Sequence, residues 1–66
     1  MPPKVKALID ELVRNGFSER GGKGSHRNYF HPLCSKIVTI SGKKGNDAQH
    51  YQTKQVEDAI REVKSK

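Results

Sequence analysis

Apolar residues recur through the first fifteen positions at the three-and-four spacing of one helical face: Val5, Leu8, Ile9, Leu12 and Val13. Lys6, Asp10, Glu11 and Arg14 fall between them, so the spacing predicts an amphipathic helix of about three turns. Pro2 and Pro3 suit its lead-in, and Lys6/Asp10 and Asp10/Arg14 stand at i,i+4 as ion pairs. Gly16 then occupies the position that favours a left-handed backbone, and Phe17 follows where it can touch Leu12. The helix is therefore predicted to end at Asn15, with a strand starting at Phe17.

Past Phe17 the helical period is lost. Phe17 to Arg20 reads as a short strand, and Gly21-Gly22-Lys23-Gly24 breaks regular structure. From Ser25 to His31 the pattern is strand-like, with Arg27, Tyr29 and His31 on one phase and His26, Asn28 and Phe30 on the other. Neither phase is cleanly apolar, so the period does not choose the core face. Of the two adjacent aromatics, Tyr29 is read as the surface candidate and Phe30 as the core support. Pro32 ends this strand, Leu33 to Lys36 turn, and the β-branched run Ile37 to Ser41 predicts a third strand with a buried face.

Gly42 to Gln52 is glycine-bearing and polar and predicts a long exposed loop. Thr53 suits an N-cap for a second helix, on which Val56, Ala59, Ile60 and Val63 share a face. Glu57 and Asp58 near its start, Lys64 and Lys66 at its end and the spacing of Glu57 to Arg61 all agree with the helix dipole. The order α-β-β-β-α predicts an α+β domain: a three-stranded antiparallel sheet, two helices on one face, and the other face open to a ligand. A chain of 66 residues has room for one domain, one small core and no deep cleft.

Charge adds a partner to this scaffold. The formal net charge is +6, with Lys and Arg in every region, a field that favours a polyanion, most commonly nucleic acid. The lone Cys34 excludes an intramolecular disulfide and fits a reducing compartment. No apolar run approaches the length of a membrane span or a signal segment, so no membrane partner and a cytoplasmic location are expected.

Chemistry near neutral pH falls to the three histidines, whose unperturbed pKa is about 6.5. Glu19 and Asp47 are the only acids outside the predicted helices, which argues against paired-carboxylate or two-metal chemistry. His26 is the strongest candidate: it follows the glycine loop, adjoins Ser25, and has Lys23 and Arg27 nearby to hold a phosphodiester. The loop's backbone N–H groups can approach a phosphate, although the P-loop spacing is absent. His31, before Pro32, and His50, before Tyr51, are weaker candidates, each suited to contact with a partner or to plain surface.

Ser25 makes a poor nucleophile beside His26, since neighbours on a strand point to opposite faces and no carboxylate orients the pair. It suits a turn or a hydrogen bond instead. No metal is expected, because His26, His31, Cys34 and His50 lack close ligand spacing. Lys23, Gly24, Ser25, Arg27, Tyr29, Lys43 and Lys44 form the expected nucleic-acid-binding set around His26.

The run GKGSHRNYFHP, with LVRNGF before it, VTISGKKG after it and QVEDAI in the last helix, resembles the HicA family of toxins over nearly the whole chain. Its most specific part is Gly22 to His26 in an α-β-β-β-α context. The resemblance implies a fold similar to double-stranded RNA-binding domains, activity as an mRNA interferase, His26 as the catalytic residue, and no cofactor. It also implies a HicB-like antitoxin that blocks that histidine. Two functions of different class follow: a metal-independent endoribonuclease toxin, or a non-catalytic RNA-binding module on the same basic face.

Overall fold

The computed structural model describes residues 2–24 and 26–66. Its elements are α1 (Val5–Arg14), β1 (Ser18–Glu19), β2 (Arg27–Phe30), β3 (Val38–Ile40) and α2 (His50–Lys64). The strands form one sheet in the order β1-β2-β3 with both pairings antiparallel, the α+β arrangement expected from the order of elements.

The helical stripe of α1 buries Val5, Leu8, Ile9 and Leu12, whereas Val13 is exposed, so the apolar face is narrower than the spacing implied. Its stop forms as expected. Gly16 has φ +92, the Gly16 N–H bonds the Val13 carbonyl at 3.0 Å, and the Phe17 N–H bonds the Leu12 carbonyl at 3.0 Å. This double closure satisfies carbonyls that the end of a helix leaves without partners. Phe17 is buried one residue ahead of β1, and a Cβ on Gly16 would come within 3.1 Å of His31 Nε2. His31 is half-buried, its ring 5.1 Å from that of Phe17, and its Nδ1 accepts the Leu33 N–H at 3.0 Å. It holds the turn after β2 in place.

Strand phase is decided by what lies across the sheet. Tyr29 pairs with Val38 and Arg27 with Ile40, so these four side chains share a face, and Tyr29, Val38 and Ile40 join the core beneath the helices. Asn28 and Phe30 consequently face away. The expected roles of the two aromatics are reversed: Tyr29 is the core support, at 2% exposure, and Phe30 stays half-buried. Burial, reinforced by the Glu19 carboxylate and opposed by Arg27, raises the Tyr29 pKa above its ordinary value.

α2 begins three residues earlier than Thr53, at His50, because the preceding segment is tied to α1. Asn46 and Lys44 carbonyls accept the Val5 and Lys6 N–H groups at 2.9 and 3.1 Å, and the Pro3 carbonyl accepts the Ala48 N–H at 2.8 Å. Lys4 and Asp47 add a bridge and a 2.7 Å ion pair. What reads as a free loop is thus the N-terminal cap of α1, and Ala48 enters the core. Gln52 is buried too, its Nε2 donating to Ser41 Oγ at 2.7 Å. On the helix surfaces Lys6–Asp10 forms as expected, while Arg14 pairs with Glu11 and Arg61 with Asp58.

At the other end of α2, the Glu62 carboxylate accepts the Ser35 N–H at 2.9 Å and the Ser35 hydroxyl at 3.3 Å, fastening the β2–β3 connection to the helix. These bonds, the backbone one first, hold its pKa below the ordinary 4.5. A carboxylate whose folded pKa is depressed stabilises the fold above its unfolded pKa, and that contribution is lost as pH falls through the folded value. Glu62→Gln is therefore expected to melt below the wild type at neutral pH, with the gap closing as pH drops below about 4.5. Parallel thermal melts from pH 7 to pH 3 check this, and a gap independent of pH counts against the role given to the charge.

Candidate functional site

The antiparallel register assembles one end of the sheet. Arg27 at the start of β2 pairs with Ile40 at the end of β3, and the Arg20 N–H bonds the Asn28 carbonyl. The segment Arg20 to His26 and the segment Ser41 to Lys44 therefore leave from the same end. α1 starts there, since a Cβ on Gly42 would lie 3.7 Å from Val5 Cγ2, and so does α2, through Gln52 and Ser41. Both helices thus direct their positive dipole ends toward this pole. The opposite pole holds Glu62, Ser35 and His31.

His26 is exposed at the mouth of β2, its N–H bonded to the Lys23 carbonyl at 2.9 Å in a tight turn. The Asn28 N–H bonds the Gly21 carbonyl at 3.2 Å, closing the loop behind it. Gly22 makes this geometry possible. Its φ is +130, and a Cβ there would overlap the His26 carbonyl oxygen and sit 3.1 Å from the Arg27 Cα. Gly24 also has a positive φ, +58, but a Cβ would meet nothing within 4 Å. Gly22 is thus a positioning residue that the glycine-rich pattern alone does not separate from its neighbours.

The two glycines give a testable contrast. Gly24→Ala is expected to cost only the left-handed backbone, about 1–2 kcal/mol. Gly22→Ala adds backbone overlap, so its melting temperature should fall further and its loop should rearrange. Thermal melts and the His26 amide chemical shift check this; equal effects of the two substitutions would remove the special role of Gly22.

Lys23 and Gly24 are exposed beside His26, and Lys43 and Lys44 are exposed in the connection leaving the same pole. Arg27 is half-buried and stands on the helix-side phase of β2. Ser25 lies outside the described residues. Tyr29 is inside the core, so its ring is not on the surface that a base can reach, and its raised pKa keeps the hydroxyl neutral. His50 sits exposed on the first turn of α2. Among the described residues no three of His, Cys, Asp and Glu gather as a metal site requires, and no helix is long and apolar enough to cross a membrane.

Outside the expected set, the guanidinium of Arg20 lies 4.7 Å over the Phe30 ring, and Thr39 Oγ1 donates to Asn28 Oδ1 at 2.9 Å on the same face. Sequence reading missed this group because the register was unknown. Once Ser18 pairs with Phe30, Arg20 becomes the diagonal neighbour of the ring, within reach of a long side chain.

A small basic α+β domain with an exposed histidine on a glycine turn, Lys23 beside it, is the class of protein that fold and site define. Residues 5–64, from the first turn of α1 to the last of α2, match the family described as HicA toxin of bacterial toxin-antitoxin. The chain belongs to the HicA toxin family: it is a toxin of the toxin-antitoxin type, and membership implies a cognate antitoxin as partner. Among curated proteins, no match to the chain was found.

Proposed function

We propose that the chain is an endoribonuclease that cleaves mRNA in the cytoplasm without a metal or other cofactor, and that a HicB-like antitoxin neutralises it by covering His26. The observation that carries this reading is the exposure of His26 on the glycine turn beside Lys23, at the end of the sheet from which Lys43 and Lys44 also leave and toward which both helices point their N-termini. The α-β-β-β-α order, read as a double-stranded-RNA-binding-domain-like scaffold, agrees with an RNA substrate.

In the proposed reaction a ribose 2′-OH attacks the adjacent phosphorus. The new O2′–P bond forms as the bond to the 5′ oxygen breaks, and His26 acts as general base or acid. Lys23, with N–H groups of the glycine loop, holds the phosphate and balances its growing negative charge, while Arg27, on the phase opposite to His26, contributes its positive field from the helix side of the strand. The second proton passes through solvent or a group outside the described site, since Tyr29 is enclosed in the core.

Incubation of the purified chain with labelled RNA in EDTA, sampled over an hour and resolved on a gel, tests the reading. Products that accumulate with time support it. RNA that is bound in a salt-sensitive way but remains whole assigns the chain to the non-catalytic alternative.

A further inference from the structure

The distribution of charge between the two faces of the sheet leads to a second RNA contact. All seven acidic residues lie away from the open face. Asp10 and Glu11 are on α1, Glu57, Asp58 and Glu62 on α2, and Asp47 is paired with Lys4 in the connection. Glu19 pairs with Tyr29 and so shares the helix-side face. The outward strand positions are Ser18, Asn28, Phe30 and Thr39, with Arg20 laid over the Phe30 ring. Among the described residues this strand surface carries a cation, an aromatic ring and polar side chains, but no carboxylate.

We propose that this open face binds the single-stranded RNA running from the phosphate at His26, with one nucleobase stacked on the Arg20–Phe30 pair. This rests on the reading of the chain as a ribonuclease. Phe30 is half-buried, so its ring is fixed by the sheet, while Arg20 is exposed and presents its guanidinium outward. Bases stack on aromatic rings and on guanidinium planes, and only an unpaired strand can splay a base onto them.

The spacing fits. His26, Asn28 and Phe30 follow one another at every second position, and at about 3.3 Å per residue Phe30 lies about 13 Å along the strand from His26. Asn28 stands between them with its Oδ1 engaged by Thr39, leaving its amide N–H groups for a base edge. Ile37, exposed just ahead of Val38, borders this face, but the strand surface itself carries one ring among hydroxyls and an amide, less apolar than the buried centre of a protein interface.

The test uses a fluorescent single-stranded RNA hexanucleotide carrying 2′-O-methyl groups, which block attack by the 2′ oxygen, with binding read by anisotropy and cleavage of unmodified RNA followed in parallel. Base stacking is worth about 1–3 kcal/mol, so Phe30→Leu and Arg20→Gln should each weaken binding about 5- to 150-fold. Lys64→Gln, at the far end of α2, should have a much smaller effect. If Phe30→Leu fails to fold by circular dichroism, Arg20→Gln decides, since that side chain is exposed.

Folded variants that bind RNA like the wild type overturn the proposal. So does a pair of variants that keep RNA affinity but lose a co-expressed antitoxin, which would give the face to protein. A wild-type chain that binds through Phe30 and Arg20 without cleaving upholds the platform and sinks the ribonuclease reading. Cleavage unaffected in both variants, with unchanged binding, does the reverse.

Discussion

His26→Ala is expected to slow RNA cleavage by about 10²- to 10⁴-fold, the usual worth of a positioned general acid or base. The effect should be purely chemical. His26 is exposed, and the turn around it is held by its backbone N–H to Lys23, a bond that alanine keeps. Its melting temperature should therefore stay close to that of the wild type, as for other exposed positions, whose substitution costs about 0.5 kcal/mol or less. Single-turnover cleavage measured beside a thermal melt separates chemistry from folding. A folded His26→Ala chain that cleaves at the wild-type rate would remove the imidazole from the mechanism.

Leu12→Ala should be among the most damaging single truncations of the scaffold. Leu12 has no exposed surface, and emptying such a site costs about 2–5 kcal/mol. At about 0.05–0.15 kcal/mol per residue a domain of this length has only about 3–10 kcal/mol to lose, so the variant is expected to be substantially unfolded at 37 °C. Val13→Ala, one residue along the same helix but 56% exposed, should change stability by about 0.5 kcal/mol or less. Urea midpoints measure both; similar midpoints would contradict the packing of α1.

These two residues also mark how far the amino-acid pattern reached. α1 was legible because its apolar spacing and its Gly16-Phe17 stop are local signals, and both appear in the fold. The phase of β2 was not, since Arg27, Asn28, Tyr29 and Phe30 do not alternate cleanly; only the partners Val38 and Ile40 decide that Tyr29 turns inward. The start of α2 was hidden for a related reason. No side chain caps it, and Gln52 looks like loop although it is buried. At the candidate site, His26 stood out through its motif, whereas the part played by Gly22 depends on a backbone approach between non-adjacent residues. The bareness of the open face depends on the register of β1 with β2, so no count of charges along the chain reveals it.

The contribution of α2 to the core bears on how the protein is made. Val56, Ala59 and Ile60 close the cluster that α1 and the strands begin, and Glu62 fastens the connection between β2 and β3. A nascent chain that has emerged only through β3 holds every residue of the glycine turn but lacks the layer that keeps the sheet folded. His26 is translated before the midpoint of the chain, yet its setting is assembled only after the second helix leaves the ribosome. At about 5–20 residues per second, this delay puts a few seconds between the synthesis of the glycine turn and the completion of the fold around it.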